Sequence, residues 1–305
     1  MDRLPTAIEL NAKFRELAGQ AGLEVRSWPL RHRGGDFELL RLASKDIGPG
    51  DKVLLVRAGI HGDEVAGPLT LADRLPRLVE EARGRGVKLV VYPLGNPSGY
   101  AVGRRYNIDN DRGPCGNGDH LRYELPDGRL TDDLGAGGEF RRWLWSSDQE
   151  AKAALPLETA VMHAALRQEP IDRVAAVIDL HQDLLTPNAW PGAYFYAFGD
   201  LAPYRPLAAV TERLVPLLRR AAIGAGFGTA IDEAGRVVAG GEDAIMSDDD
   251  GFIVRHDGSL PDLCWRLGVR HCLTIETTGA TPLPAAIEVN WLWLSGLIRL
   301  IAADG

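Results

Sequence analysis

VLLVRAGIHGDE (residues 53–64) combines the pattern of a buried strand with two chemically reactive side chains. Its first part, VLLVRAG (53–59), is a β-rich apolar run that stops abruptly at Gly59. Apolar runs without polar alternation are typical of strands that are buried on both faces of a parallel sheet. An imidazole, His61, and a carboxylate, Glu64, follow directly, three residues apart. The stretch therefore predicts a buried strand with two polar side chains at its carboxyl end.

Three further runs have the same character. They are VKLVVYPLG (87–95), VAAVIDL (174–180) and CLTIETT (272–278). Amphipathic helical patterns lie between and after the runs, at about 65–83, 150–168, 206–223 and 284–302. Alternating strands and helices predict an α/β sandwich with helices on both faces of the sheet. Pro76 lies inside the first helical pattern, so we expect that helix to break or to begin late.

The segment from Asn107 to about Glu139 differs from the rest because it is rich in glycine and poor in apolar residues. It is predicted to be a long structured loop, and loops of this length in a compact domain are usually functional or mobile. No internal repeat or convincing linker divides the chain. We therefore predict a single domain over residues 1–305.

The composition narrows the classes of protein to consider. The 305 residues are 45% hydrophobic and 25% charged, as in an ordinary globular protein. The formal charge is −8 and no basic run is longer than a pair, so nucleic acid is not an expected partner. The N-terminus is charged and amphipathic, and we see no apolar stretch that would span a bilayer, so we expect a soluble, cytoplasmic protein without membrane association. Three irregularly spaced cysteines argue against a disulfide framework and against a cysteine-based zinc site.

Polar side chains lie at the ends of all four apolar runs. They are His61 and Glu64 after the first run, Asn96, Arg104 and Arg105 after the second, Asp179, His181 and Asp183 at the third, and Glu276 at the fourth. In open α/β sheets, ligands bind at the carboxyl ends of the strands. We therefore expect these side chains to converge on one edge of the sheet.

Zinc chemistry explains such a convergence. A catalytic zinc takes three protein ligands of the His and Glu type and leaves one position for water. His61 and Glu64 lie on one turn and can reach the same ion, and His181 can supply the third contact from a neighbouring strand. Glu276 would then be free to act as general base. An isolated His-x-x-Glu pair is a weak signal, so the interpretation depends on the combination of the four residues.

Several points stay open at this level. We expect one Zn²⁺ per chain, but two histidines and a glutamate with an open position can also hold Co, Ni or Mn. Asp179 and Asp183 flank His181 and could either orient a metal-bound imidazole or lie on the surface.

Five motifs resemble, in order and spacing, those of the zinc carboxypeptidase superfamily, which includes the aspartoacylase and succinylglutamate desuccinylase branch. They are GIHGDE (59–64), NPSGY (96–100), RRYNIDNDR (104–112), IDLHQD (178–183) and TIETTG (274–279). The resemblance runs from about residue 50 to the C-terminus and leaves residues 1–50 without a matching motif. It implies a single-domain, three-layer α/β/α sandwich around a mixed, mostly parallel sheet.

The resemblance also implies a role for each site residue. The zinc ligands are His61, Glu64 and His181, and the base that activates water is Glu276. One arginine of the pair Arg104–Arg105 polarises the scissile carbonyl and holds the oxyanion. The substrate-binding residues are Arg112, which clamps a substrate carboxylate, together with Asp111 and Asn96.

The chain departs from the family pattern near Arg112. The family usually has asparagine beside this arginine, whereas this chain has Asp111. An anionic Asp111 would repel a carboxylate or attract an amine, which favours a small substrate with a positive or polar group near its terminus. No tyrosine follows Tyr204, so the family's mobile tyrosine has no counterpart, and Phe252 or His256 lies in that region. Only 29 residues follow Glu276, which leaves no room for the extra C-terminal β domain of the aspartoacylase branch.

Three functional hypotheses result. The first is a carboxypeptidase-like, zinc-dependent hydrolase of amide or peptide bonds. The second is an N-acyl amino acid deacylase of the succinylglutamate desuccinylase or aspartoacylase type, and the third is a non-catalytic descendant that keeps the fold to bind a metal or a partner. The presence of all four core residues favours an enzyme that acts on a small peptide or an N-acyl amino acid.

Overall fold

A computed structural model describes residues 3–109, 121–131, 134, 138–145, 156–184, 190–219, 222–223, 230–231, 237–239, 245–254, 256 and 258–304. The strands are β1 (Glu24–His32), β2 (Gly35–Ala43), β3 (Lys52–Ala58), β4 (Val87–Tyr92), β5 (Leu121–Glu124), β6 (Leu130–Thr131), β7 (Arg142–Trp145), β8 (Val174–Asp183), β9 (Ala193–Phe198), β10 (Ala222–Ile223), β11 (Ala230–Ile231), β12 (Val237–Ala239), β13 (Ile245–Met246), β14 (Phe252–Ile253) and β15 (His271–Thr278). The α-helices are α1 (Ala7–Ala21), α2 (Ala66–Gly84), α3 (Pro97–Val102), α4 (Leu157–Leu166), α5 (Arg205–Thr211), α6 (Leu260–Arg266) and α7 (Leu283–Ala303).

An eight-stranded sheet forms the centre, in the order β1-β2-β4-β3-β8-β15-β9-β14. The four central strands β4, β3, β8 and β15 run parallel to one another. The pairs β1–β2, β2–β4 and β15–β9 are antiparallel, and β14 runs parallel to β9. The central strands are the four apolar runs identified in the sequence. The expected mixed, mostly parallel sheet is therefore confirmed.

Both faces of this sheet are covered, which confirms the three-layer arrangement. On one face α1, α2, α5 and α7 enclose an apolar core in which Phe14, Leu75 and Trp293 are fully buried. On the other face α4 and α6 pack together with part of the small sheet formed by β6, β5 and β7. Alternate residues of each central strand enter opposite cores, because side chains in a strand alternate between the faces.

By length and composition, helix α7 is long and apolar enough to cross a membrane. The sequence-based expectation that no apolar stretch has the length to span a bilayer did not anticipate this helix. Most of its apolar stretch is buried inside the protein. Its residues Trp293, Leu297 and Ile301 are fully buried in the core shared with α2. Burial of this kind is typical of the core helix of a sandwich.

Two helix predictions were wrong in detail. The helical pattern at 206–223 forms a helix only to Thr211, and Leu217 instead pairs with Ala193 next to the sheet. Pro216 explains the early end, since proline cannot donate to a helix and also restricts the residue before it. Conversely, Pro76 does not break α2, which continues from Ala66 to Gly84 with Pro76 on its exposed side. Burial of the apolar face of α2 outweighs the lost backbone hydrogen bond.

Two regions have more regular structure than the sequence predicted. Residues 1–50 contain α1, which begins with a capping box between Thr6 and Glu9, and the hairpin β1–β2, which extends the central sheet. The segment 107–139, predicted to be a loop, contributes β5 and β6 to the small sheet in its described part. The prediction of one domain over residues 1–305 stays a prediction.

Candidate metal centre

A tight loop after β3 brings His61 and Glu64 to the carboxyl edge of the sheet. Gly59 adopts a positive φ of 63°, which favours glycine. A Cβ atom on Gly62 would lie 2.2 Å from the carbonyl carbon of Gly99, so only glycine allows this loop to pack on the backbone of α3. The N–H of Gly62 also donates to the carbonyl of Arg105 at 3.1 Å. Gly62, which lies between the two predicted ligands, thus anchors their loop to the segment that contains Gly99 and Arg105.

His61, Glu64 and His181 converge at this edge. Glu64 lies between the histidines, with Oε1 2.6 Å from Nδ1 of His61 and Oε2 2.9 Å from Nδ1 of His181. One ligand atom from each residue lies within 4.8 Å of the other two, and all three residues are buried. Within the described part of the chain, no other group of three His, Cys, Asp or Glu residues comes as close together. His181 reaches the cluster because β8 runs parallel to β3, with Leu180 beside Ala58.

The electrostatics of the cluster suit a cation. Burial alone would raise the pKa of Glu64, but His61 and His181 outweigh it and hold that pKa well below its usual range. Burial would lower the pKa of His181, but Glu64 and Asp179 outweigh it and raise that pKa well above its usual range. Positive charge is therefore favoured next to Glu64. A divalent ion can supply that charge in place of the histidine proton, so the donor set fits a metal.

Asp179 supports the cluster from one side. Its carboxylate accepts hydrogen bonds from Nε of Arg57 at 2.8 and 2.9 Å, and Oδ2 lies 3.6 Å from Nε2 of His181. Burial would raise the pKa of Asp179, but Arg57 outweighs it and lowers the pKa to about 2. A charged Asp179 behind Nε2 orients the ring so that Nδ1 faces Glu64. Asp179 is therefore a supporting residue and not a surface one.

Glu276 lies beside the cluster on the next parallel strand. Its backbone position on β15 is opposite His181, and its Oε1 lies 3.9 Å from Nδ1 of His181. Its Oε2 is buried and has no hydrogen-bond partner. Burial raises the pKa of Glu276 well above its usual range, against the attraction of His181 and with the repulsion of Glu64. A carboxylate of this kind can accept a proton from a water molecule that enters the site.

The two candidate arginines are placed differently. The guanidinium of Arg105 donates from Nη1 to Oε1 of Glu64 at 2.8 Å, and its side chain is 20% exposed. Arg104 is exposed, and its backbone carbonyl packs near Gly62. The structure thus brings Arg105 against the predicted ligands, where a fixed positive charge could face a substrate oxygen.

Comparisons with known proteins agree with this geometry. Residues 49–122 match the model of the succinylglutamate desuccinylase/aspartoacylase catalytic domain. Succinylglutamate desuccinylase of Pseudomonas paraeruginosa is 34% identical over 86 residues, which is 28% of this chain. The chain spans about a quarter (24%) of the length of this curated relative.

The fold is shared over nearly the whole chain. A protein of Shewanella amazonensis, provisionally described as a metallopeptidase, has a TM-score of 0.65 at 21% identity and covers 97% of this chain and 94% of its own. Carboxypeptidase A of Helicoverpa armigera has a TM-score of 0.58 at 14% identity, covering 99% of this chain and 75% of its own. Thrombin-activatable fibrinolysis inhibitor has a TM-score of 0.56 at 11% identity, covering 98% and 75%.

The chain thus resembles the zinc carboxypeptidase-like superfamily in sequence over residues 49–122 and in fold over nearly its whole length. Two branches of the superfamily are represented among the matches. The sequence match over residues 49–122 is to the desuccinylase and aspartoacylase branch, whereas carboxypeptidases share the fold at low identity. The matches support the comparison with metal-dependent hydrolases, and they do not distinguish between the reactions of the two branches.

The structure says less about the predicted substrate-binding residues. Asn96 is fully buried, where its Nδ2 donates to the carbonyl of Arg105 at 2.9 Å and its Oδ1 accepts from Gly99 at 2.8 Å. A contact between Asn96 and substrate stays a prediction. Asp111 and Arg112 lie outside the described residues.

Sequence reasoning missed one aromatic residue of the site. Tyr194 on β9 is opposite Glu276, and its hydroxyl donates to Oδ2 of Asp183 at 3.0 Å. Burial, together with the charges of Glu276 and Asp183, raises the pKa of Tyr194 well above its usual range, so it remains a hydrogen-bond donor. No motif marks Tyr194, although the alternation in AYFYAF (193–198) could have predicted its strand.

The two residues considered near the position of the family tyrosine have contacts elsewhere. Phe252 lies in the core, where its ring packs on Phe195 and Trp293. His256 faces Oδ1 of Asp262 at 2.7 Å from its Nδ1. Both side chains therefore serve the fold.

Proposed function

We propose that the protein is a zinc-dependent hydrolase that cleaves an amide or peptide bond with water, in the manner of a carboxypeptidase. One observation carries the proposal: the buried group His61–Glu64–His181 lies beside Glu276, whose Oε2 is buried without a partner. Three ligands of the His and Glu type next to an unpaired carboxylate match the needs of hydrolysis.

His61, Glu64 and His181 would hold the metal. Zinc, when bound, supplies Lewis-acid chemistry that polarises a carbonyl and makes a nearby water more acidic. Asp179 keeps the His181 ring in its orientation, and the N–H of Gln182 donates to Oε2 of Glu64 at 3.1 Å. The ligands are thus held in place before any substrate arrives.

Glu276 and Arg105 would carry out the remaining steps. Glu276 takes a proton from the attacking water and returns it to the leaving nitrogen, for which its raised pKa is suited. Arg105 stabilises the negative charge that develops on the carbonyl oxygen, because its guanidinium is already fixed at the site. Tyr194 keeps Asp183 hydrogen-bonded next to Glu276.

The substrate class is part of the proposal. We propose that the substrate is a small peptide or an N-acyl amino acid and that the protein acts in the cytoplasm. We propose no nucleic acid partner and no membrane association. Arg112 is the candidate for a substrate carboxylate, and Asp111 favours a positive or polar group nearby. Turnover by Asp111→Asn on acidic and basic substrates tests this choice, and an unchanged preference contradicts it.

N-acyl amino acid deacylation is the second candidate. It is favoured by the match of residues 49–122 to the desuccinylase and aspartoacylase catalytic domain. The same ligands, base and arginine serve both reactions, so only the substrate distinguishes them. A non-catalytic metal-binding descendant is a third candidate and is disfavoured by the presence of all four core residues.

Activity on matched substrates tests the proposal. The purified protein is treated with a chelator, dialysed, and resupplied with Zn²⁺, and each form is offered short peptides and N-acyl amino acids side by side. We expect hydrolysis that is lost on chelation and restored by zinc, with one substrate class preferred. Hydrolysis that survives complete removal of metal would contradict zinc dependence. A zinc-loaded protein that cleaves neither class would support the non-catalytic alternative.

A further inference from the structure

A buried carboxylate outside the ligand set, Glu158, holds the turn that carries Arg105. Glu158 lies in the first turn of α4, far from Arg105 in sequence, and is fully buried. Its hydrogen bonds come from Ser98 and Asn107, on either side of Arg105, and Nε2 of His32 lies 3.9 Å from its Oε2. A single carboxylate thus connects α4 to the whole arginine-bearing turn.

The contacts before Arg105 are made by Ser98. The backbone N–H of Ser98 donates to Oε1 of Glu158 at 2.7 Å, and the Ser98 hydroxyl donates to Oε2. Ser98 is fully buried, so both donors would be unsatisfied without Glu158. The start of α3 is therefore fixed by this carboxylate.

The contacts after Arg105 are made by Asn107 and Ile108. Nδ2 of Asn107 donates to Oε2 of Glu158 at 2.6 Å. The N–H of Ile108 donates to the Ser98 hydroxyl at 3.1 Å. Oδ1 of Asn107 accepts from the hydroxyl of Thr159, the residue after Glu158, at 3.1 Å. Both ends of the turn are thus tied to the same turn of α4.

The network continues to the metal loop. Nδ2 of Asn107 also donates to Oδ1 of Asn96 at 2.8 Å. Asn96 in turn donates to the carbonyl of Arg105, which also accepts the N–H of Gly62. Gly62 lies between His61 and Glu64, the residue that the Arg105 guanidinium contacts. An unbroken set of hydrogen bonds therefore runs from Glu158 to the backbone of Arg105.

We propose that Glu158 is a positioning residue that fixes Arg105 against the predicted metal centre. The inference rests on the proposed function in so far as Arg105 acts on the reacting carbonyl. Glu158 does not itself touch the site, and it acts by accepting donors from both sides of the turn. Loss of these bonds frees the turn and lets the guanidinium move away from the carbonyl oxygen.

Glu158→Gln tests the proposal because it keeps the size of the side chain but replaces an acceptor oxygen with a donor. We expect the amides of Gly62, Ser98 and Ile108 to exchange hydrogen at least about tenfold faster, as expected for one lost hydrogen bond. With the substrate found for the native enzyme, we expect kcat to fall about tenfold with KM nearly unchanged, since Arg105 acts in the transition state. Zinc content should stay unchanged.

A double-mutant cycle separates positioning from a general loss of stability. If Glu158 acts through Arg105, then Glu158→Gln causes no further loss of kcat in an Arg105→Ala enzyme. Glu169→Gln is the matched control, because Glu169 is also buried near the end of α4 but binds Arg41 and Tyr92. We expect Glu169→Gln to leave kcat and the exchange of the Gly62 amide unchanged.

The outcomes distinguish this proposal from the proposed function. Native-like exchange in Glu158→Gln, or an additive loss of kcat in the double variant, overturns the positioning role. If the native protein cleaves no substrate, the proposed function fails while the exchange data still decide the role of Glu158. If Glu158→Gln does not fold, Ser98→Ala removes one donor to Glu158 and the acceptor for Ile108. Faster exchange at Ile108 and Gly62 then supports the proposal, and unchanged exchange at Gly62 overturns it.

Discussion

The two faces of strands β8 and β15 differ sharply in chemistry. On one face Ile178 and Leu273 are fully buried in the core shared with α2 and α7. On the other face, Asp179 and Glu276 continue the line of Val177 and Cys272 toward the carboxyl edge. The period of two lets one strand complete a core and build a site at the same time. Asp179, His181 and Glu276 lie on this second face in its carboxyl half, where the sheet edge can admit a ligand.

The largest expected effect is a difference in metal content and activity between alanine variants of two buried histidines, one on each face. His181→Ala should lose the bound metal and lower kcat/KM by roughly 10³-fold or more, since metal catalysis supplies several kcal/mol. His271 on β15 points to the opposite face, with Nδ1 2.9 Å from the Tyr204 hydroxyl and Nε2 2.8 Å from Asp304. His271→Ala should keep the metal and lose only stability, by about 1–3 kcal/mol.

Metal content by mass spectrometry and urea unfolding measure the two effects. His61→Ala should behave like His181→Ala. Loss of metal from His271→Ala, or close to one ion per chain in His181→Ala, would contradict the predicted difference between the two faces.

Glu276→Gln should lower kcat by about 10²–10⁴-fold and leave metal content unchanged, because it removes the proton acceptor but no ligand. In the metal-free protein the same variant changes the pH dependence of stability. Burial raises the pKa of Glu276 above its unfolded value of 4.5, so the folded state binds the proton more tightly. The free energy of unfolding should fall as pH rises above about 4.5, and the fall should be smaller in Glu276→Gln.

Kinetics at saturating substrate and unfolding at several pH values test this prediction. A variant that retains native kcat, or a metal-free native protein whose stability does not depend on this residue above pH 4.5, would contradict it.

Asp179→Asn and Leu273→Ala compare how much the polar face and the apolar face contribute to the free energy of unfolding. Asp179→Asn removes the negative charge that faces the buried guanidinium of Arg57 and should cost about 3–5 kcal/mol. The pKa of Asp179 is lowered from 3.8 to about 2, so its contribution is present above about pH 4 and is lost as pH falls toward 2. Leu273→Ala should cost a similar 2–5 kcal/mol or so by leaving a cavity.

Urea unfolding between about pH 2 and 7 distinguishes the two variants. Leu273→Ala should keep the acid-dependent loss of stability, whereas Asp179→Asn should reduce it. Equal pH dependence in both variants would show that the pair with Arg57 does not stabilise the fold as inferred.

The smallest expected effect is the labelling of thiols in the apolar core on the same face of the sheet as Asp179 and Glu276. Cys264 and Cys272 are buried, and burial raises the pKa of the Cys264 thiol to about 12. A disulfide reagent at pH 8 should therefore label at most one of the three cysteines quickly in the native protein, and all three in denaturant. Rapid labelling of two or more thiols would show that this half of the face opens to solvent.

The sequence predicted the centre of the sheet and the edge that holds the site. Over most of their length the four central strands carry apolar residues on both faces, and no helix pattern competes with them, so composition alone marks them. The convergence of His61, Glu64 and His181 was predictable because all three lie where such strands end. The contact of Arg105, rather than Arg104, with Glu64 was not predictable, because the backbone decides in which directions neighbouring side chains of a turn point.

What the sequence could not predict depends on contacts between distant segments. The hairpin β1–β2 is partly exposed and carries charges, so its pattern is weak. Tyr194 and Glu158 belong to no motif, and their importance appears only when Asp183 and Ser98 are brought to them. The helix at 206–223 was overestimated because its apolar residues suit either a helix or the packing against the sheet that Pro216 imposes.

The connection between β4 and β8 has an evolutionary consequence. Residues 93–173 supply Arg105 and Glu158 but no predicted metal ligand, since His61 and Glu64 precede them and His181 follows. Exchange of this continuous stretch would keep all three predicted ligands and change the residues that contact them, among them Arg105. A chimera between relatives would exchange residues 93–173 as one unit, provided that the backbone of Gly99, against which Gly62 packs, is retained. New specificities could thus arise by recombination at two points, at the end of β4 and at the start of β8.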